Sequence, residues 1–219
     1  MIEVREYLDR DGRSPYKLWF DRLNAQAAAK VATALTRLSL GNMSNVRGVG
    51  SEVSELRIDL IRATGFIWAK TATISSSCSA EAPSSASRAI SRPQSPIGRI
   101  TNGESKRVPM PLTRDFKETI RDRVQHDARF RKELLREGLD AMLSGEITLA
   151  KAILRDYINA TVGFTDLAEA THIPPKSLMR MFSAAGNPRA ANLFEIVSFL
   201  QHREGVRFHV KATSTQLNG

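Results

Sequence analysis

Phe164-Thr-Asp-Leu-Ala-Glu-Ala-Thr-His-Ile-Pro-Pro-Lys-Ser-Leu-Met-Arg-Met-Phe-Ser-Ala-Ala-Gly-Asn-Pro188 is the stretch that decides how this chain folds. Leu167 and Ala168 belong to a short helix, and the small Ala168 suits close approach of a second helix. Thr171-His172-Ile173 reads as a turn, with Ile173 directed inward. Pro174-Pro175 opens the next helix, where Pro is tolerated because first-turn N–H groups have no intrahelical partner. Leu178 and Phe182 lie one turn apart and anchor that helix inward, while Lys176, Ser177, Met179 and Arg180 point outward. This is the layout of a helix-turn-helix, whose second helix sets its N-terminal residues into a DNA major groove. The alternative is a generic helical hairpin with a solvated basic face.

On the first reading Lys176 and Arg180 reach phosphates or guanine edges, and Ser177 bonds a base or a phosphate. Gly186-Asn187-Pro188 turns into a long helix from Arg189 to about Arg203, so Asn187 and Arg189 are candidate phosphate contacts at its start. Gly205 ends that helix, and Val206, Phe208 and Val210 alternate like a short final strand. Upstream, Met110 reads as a fresh start. Leu112-Thr113 opens a helix through about His126 with Phe116, Ile120 and Val124 on one stripe. Arg129–Ser144 carries Phe130, Leu134, Leu135, Met142 and Leu143. Glu146–Ala160 follows with Leu149, Ile153, Leu154 and Ile158, and Gly163 ends the pattern.

Residues 178–183, Gly186-Asn187-Pro188 and Asn192-Leu193-Phe194 together resemble the HigA-like addiction-module antidote proteins of the Xre helix-turn-helix class. The resemblance spans about residues 110–212. It implies an all-α antitoxin domain that binds operator DNA, as a monomer or a homodimer, and neutralises a cognate toxin through surfaces of residues 110–160. Pro174-Pro175 stands where that class usually has polar cap residues.

The other end of the chain is of a different kind. Ile2, Val4 and Tyr7 alternate with Glu3, Arg5 and Glu6, which suits a half-buried strand. Ser14 is an N-cap with Pro15 at the first helical position. Leu18, Trp19 and Leu23, then Val31, Leu35 and Leu38, give two consecutive helices closed by Gly41-Asn42. From Val53 to Asp59 alternation resumes, with Leu56 and Ile58 on one face and Arg57 and Asp59 on the other. Strand, helix, helix, strand opens an α+β domain without finishing it.

Ser14-Pro15, Trp19-Phe20, Gly41-Asn42, residues 47–50 and Glu55-Leu56-Arg57-Ile58 resemble the opening of a HigB-type toxin of the RelE superfamily, over about residues 1–60. Such toxins are ribosome-dependent mRNA endonucleases encoded beside their antitoxins. In operons of this kind the antitoxin gene follows the toxin gene, which is the order found along this chain.

Between the two, periodicity fails. Residues 60–109 hold ten Ser and dipeptides such as Arg92-Pro93 and Ser95-Pro96 that discourage regular structure. The resemblance implies that Gly-Tyr-Arg, an apolar strand and a basic end should follow Asp59. Codons exist for residues 62–107 that yield this order when read two nucleotides later, and the single codon of Trp68 supplies a shifted Leu-Gly junction unaided. We therefore read 61–109 as the toxin's catalytic half translated out of frame, and the alternative is an ordinary Ser-rich, disordered linker. The implied catalytic Arg and Lys groups are then missing, and Arg57 alone is no active site.

The net charge of +9 is poor evidence for nucleic acid, because residues 62–109 hold 7 basic and 2 acidic side chains. Residues 110–219, with 16 and 13, carry only +3, so any DNA affinity is modest and salt-sensitive. A lone Cys78 and the lack of a long apolar run predict a soluble, cytoplasmic protein away from membranes. His126, His172, His202 and His209 are scattered, so no metal and no cofactor is expected. The expected architecture is mainly α: an incomplete α+β fragment (1–60), the tract 61–109, a helix-turn-helix domain (110–212) and a tail (213–219). The expected function is a DNA-binding antitoxin-type regulator, not an enzyme, fused to an inactive toxin remnant. Two alternatives stand beside it: a fused toxin–antitoxin with residual mRNA cleavage, and a toxin-binding protein without DNA binding.

Overall fold

The computed structural model describes residues 2–50, 53–58 and 113–211. It is mainly helical, with eight helices and two small antiparallel sheets among the described residues. The tract 61–109, including Cys78, and the tail 213–219 lie outside the described residues.

The chain opens with β1 (Arg5–Tyr7), α1 (Pro15–Phe20) and α2 (Ala25–Ser39). Ser14 starts α1 as its sequence predicts, its Oγ accepting the Lys17 N–H at 3.0 Å with Pro15 in the first turn. Asn24 does the same for α2, accepting the Ala27 N–H at 2.8 Å. Gly41 ends the pair at φ +98°, a conformation open to Gly without strain. A hairpin follows, β2 (Val46–Gly50) with β3 (Val53–Leu56), Val46 opposite Leu56. Only the second of these strands was legible, because two Gly in five residues leave β2 without a strand pattern.

The chain is described again from β4 (Thr113–Asp115), which pairs antiparallel with β1, Glu6 opposite Arg114. This overturns two expectations. Thr113 does not begin a helix: α3 (Phe116–His126) starts after Asp115, whose carboxylate accepts the Lys117 N–H at 2.9 Å. Nor does Tyr7 turn inward. Tyr7 is exposed, and Glu6 is buried. The reason is the partner strand: Glu6 accepts from Thr119 Oγ1 at 2.6 Å, from Arg114 Nε at 3.1 Å and from Ser14 Oγ. A buried carboxylate is tolerable only when so supplied with donors.

Next come α4 (Ala128–Leu143) and α5 (Ile147–Ala160). Asp127 caps α4 with bonds of 3.0 Å from the N–H groups of Arg129 and Phe130. The stripes Phe116/Ile120/Val124, Phe130/Leu134/Leu135 and Leu149/Ile153/Leu154/Ile158 are all buried as their spacing predicts. Leu143 is the exception. It is the last residue of α4 and stands in solvent. These stripes share one core with Phe20, Ala28, Ala29, Val31, Ala32 and Leu35 of α1 and α2. The unfinished N-terminal segment thus gains its missing cover from residues 113–160, at roughly 1.5–3 kcal/mol for each large side chain buried.

The last elements are α6 (Gly163–Thr171), α7 (Pro175–Met181) and α8 (Ala190–Glu204), closed by Gly205 at φ +62°. The expected final strand does not form. Phe208 is held through its N–H, which donates to Gln201 Oε1 at 2.8 Å, and Val210 is exposed with no strand beside it.

Candidate nucleic-acid interface

Helices α6 and α7 are joined by three residues, His172-Ile173-Pro174. The reversal rests on His172, the one non-glycine residue at positive φ (54°) among the described residues. A single residue in the left-handed region turns the chain sharply without lengthening it. Thr171 supports the turn from inside, its Oγ1 donating to Leu167 O at 2.8 Å. Ile173 is partly buried against the core, as its place in the turn predicts.

Helix α7 has two distinct sides. Leu178 and Phe182 are buried, and Phe182 lies 6.3 Å from the Phe164 ring of α6. Lys176, Met179 and Arg180 are exposed together, and Ser177 is half-buried beside them. Positions three and four apart on a helix share a face, so Lys176, Met179 and Arg180 form one surface. Pro174 offers no side-chain cap to α7, which leaves its first N–H groups without a side-chain acceptor. Asn187 lies in the following loop and Arg189 is the N-cap position of α8, both exposed. All six sequence-predicted residues therefore lie on α7 or on the loop that leaves it.

The charge on α7 and its exit loop is of one sign. From residue 170 to residue 194 the chain carries Lys176, Arg180 and Arg189 and no Asp or Glu. The acids of this region, Asp166 and Glu169, belong to α6, and Glu195 belongs to α8. A cationic surface on an exposed helix has the chemistry to meet phosphate oxygens and guanine edges, with Met179 apolar enough for a thymine methyl.

Two residues shape this surface from beneath, and the first is silent in the sequence. Lys151 of α5 is buried, and its Nζ donates to three backbone carbonyls: Ser183 at 3.0 Å, Ala184 at 3.1 Å and Gly186 at 2.6 Å. It holds the loop that carries Asn187 and sits where a cation complements a helix C-terminus. Gly186 is required by proximity, since a Cβ there would collide with the carbonyls of Arg180 and Met181. Lys151 lies two residues from Leu149 and Ile153, so helical spacing reads it as one more solvated cation. Only its carbonyl partners, some thirty residues away, distinguish it.

Elsewhere, Arg57 is exposed and its Nε donates to Glu55 at 3.0 Å. His126 Nδ1 lies 3.5 Å from Asp122 Oδ1, and no three metal-ligating side chains gather among the described residues. None of the described helices is long and apolar enough to cross a membrane. Compared with protein-family models, curated proteins and solved structures, the chain matches none.

Proposed function

We propose that this protein is an antitoxin-type, DNA-binding transcriptional regulator whose α6–α7 pair reads an operator, fused to a toxin remnant without catalytic function. The observation that carries the reading is the exposed Lys176–Met179–Arg180 face on the second helix of a tight helix-turn-helix, free of acidic neighbours along the chain. Arg180 is the base-reading candidate, and Lys176, Asn187 and Arg189 position the backbone. The remnant reading rests on the HigB-like motifs of residues 1–60, and the loss of nuclease function on their abrupt end. Arg57, the one catalytic candidate left in that segment, is engaged by Glu55.

The test is a band-shift with the gene's own upstream DNA at low salt. Arg180→Ala weakens binding by roughly 10–100-fold, the range of a lost base contact. Lys176→Ala lowers the slope of log affinity against log salt by about one, as a lost phosphate contact does. Unretarded DNA, or full affinity in Arg180→Ala, overturns the regulator reading and leaves the toxin-binding alternative. Primer extension on translating ribosomes tests the enzymatic alternative, and we expect no cleavage.

A further inference from the structure

A cleft of about 540 Å3 opens where the segment before β1, the end of α2, the start of α3, α5 and the loop after α7 come together. None of Lys176, Met179, Arg180, Asn187 and Arg189 lines it, so it is separate from the candidate DNA surface. Small-ligand sites have volumes of this order, roughly 300–1,000 Å3. Ile2, Val4, Leu40, Phe116 and Phe182 give it an apolar lining. Along α5, Thr148, Ala152 and Arg155 follow one another at four and three residues on a single face, and all three border the cleft. The small Ala152 leaves room between the other two.

The charges around this space are already engaged, save one. Lys117 meets Asp156 at 2.8 Å, Glu3 meets Arg5 at 2.7 Å, and Asp115 caps α3. Lys151 is spent on its three carbonyls. Arg155 is exposed and forms no ion pair among the described residues. One unspent guanidinium beside an apolar recess matches a ligand with an apolar body and a single carboxylate, which it takes through two parallel hydrogen bonds. A second negative charge on the ligand would fall near Glu3, Asp115 or Asp156. Ser183 and Ala184 also border the cleft, and their carbonyls hold Lys151. A body seated against them braces the loop that runs on to Asn187 and Arg189.

We propose that this cleft binds a small amphipathic monocarboxylate, with Arg155 on the carboxylate and the apolar lining on the body, and that the bound ligand steadies the loop after α7. The binding rests on the cleft alone; any effect of the steadied loop on DNA rests on the proposed function.

The probe is 2-naphthoate, titrated calorimetrically into the full chain, with uncharged 2-naphthamide beside it. We expect a Kd of roughly 0.1–1 mM for the acid, ordinary for so small a ligand, and about tenfold weaker binding of the amide. Arg155→Met keeps an apolar stem, so it weakens the acid about tenfold and leaves the amide unchanged. Ala152→Phe fills the cleft and removes both, in a chain whose thermal melt shows it folded. Bound 2-naphthoate slows amide hydrogen exchange several-fold at residues 183–186. No binding of the acid at about 5 mM, an amide that binds as tightly, full affinity in Arg155→Met, or loop exchange that ignores the probe overturns the inference. A band-shift reads DNA separately: a chain that retards no DNA, yet binds 2-naphthoate and slows its loop, strikes the regulator reading and leaves the cleft standing.

Discussion

Both α1 and α7 end on a buried cation from the α3–α5 body, and the two grips differ in kind. Arg123 forks between Phe20 O and Leu23 O, reaches back to Asp127 at 3.2 Å, and is packed by two aromatic rings. Its planar donors are spent in fixed directions, so it fixes an angle between surfaces. Lys151 presents a compact ammonium to three carbonyls of one loop. It gathers the loop backbone around a point charge. The first cation joins two pieces of chain, and the second sets the shape of the candidate surface.

Replacing the first cation should have the larger effect. Arg123→Ala takes a donor from Phe20 O and from Leu23 O and empties a space between rings, at a cost of about 3 kcal/mol. Urea unfolding measures it, and a loss under 1 kcal/mol would remove Arg123 from the role of anchor. Lys151→Met keeps the length of the side chain and removes the donors. We expect a smaller loss of stability, about 1–2 kcal/mol, with DNA affinity down roughly tenfold through misplacement of Asn187 and Arg189. If affinity holds while stability falls, Lys151 supports the fold but not the surface.

The smallest effect concerns acid. A hydrogen bond from Lys17 holds the Asp122 carboxyl below its ordinary value, with the charge of Lys17 adding to it. A carboxyl depressed in the folded state stabilises it above the unfolded value, near 4, and that contribution fades as pH falls through the folded value. Asp122 is half exposed, so the effect is slight. Asp122→Asn should lower the melting temperature slightly at pH 7 and leave it unchanged well below about pH 4, so that its acid limb is flatter, followed by thermal melts across pH. An unchanged acid limb would mean that Lys17 and Asp122 do not couple in solution.

The difference between the two grips also explains what could be read without coordinates. The helix-turn-helix was legible because its signals are local: Leu178 and Phe182 inward, Pro174-Pro175 at a helix start, Ile173 in the turn. The six candidate residues were legible for the same reason, all lying within fourteen residues on one helix and its exit loop. Tyr7 was misread because alternation counts apolar residues and cannot see Arg114 and Thr119, more than a hundred positions away. Thr113 was misread because a three-residue strand has no period of its own and exists only by pairing with β1.

By itself, then, the sequence determined the helices, their apolar stripes, their ends at Ser14, Gly41 and Gly205, and the exposed face of α7. Each of these follows from contacts within a few residues, where backbone geometry alone dictates which side chains meet. Only the tertiary structure decided that Glu6 is buried, that Lys151 is a tether, and that α1–α2 lies on the α3–α5 face. Those depend on which surfaces find one another, and a charge becomes a cap, an anchor or a solvated tip according to what lies across from it.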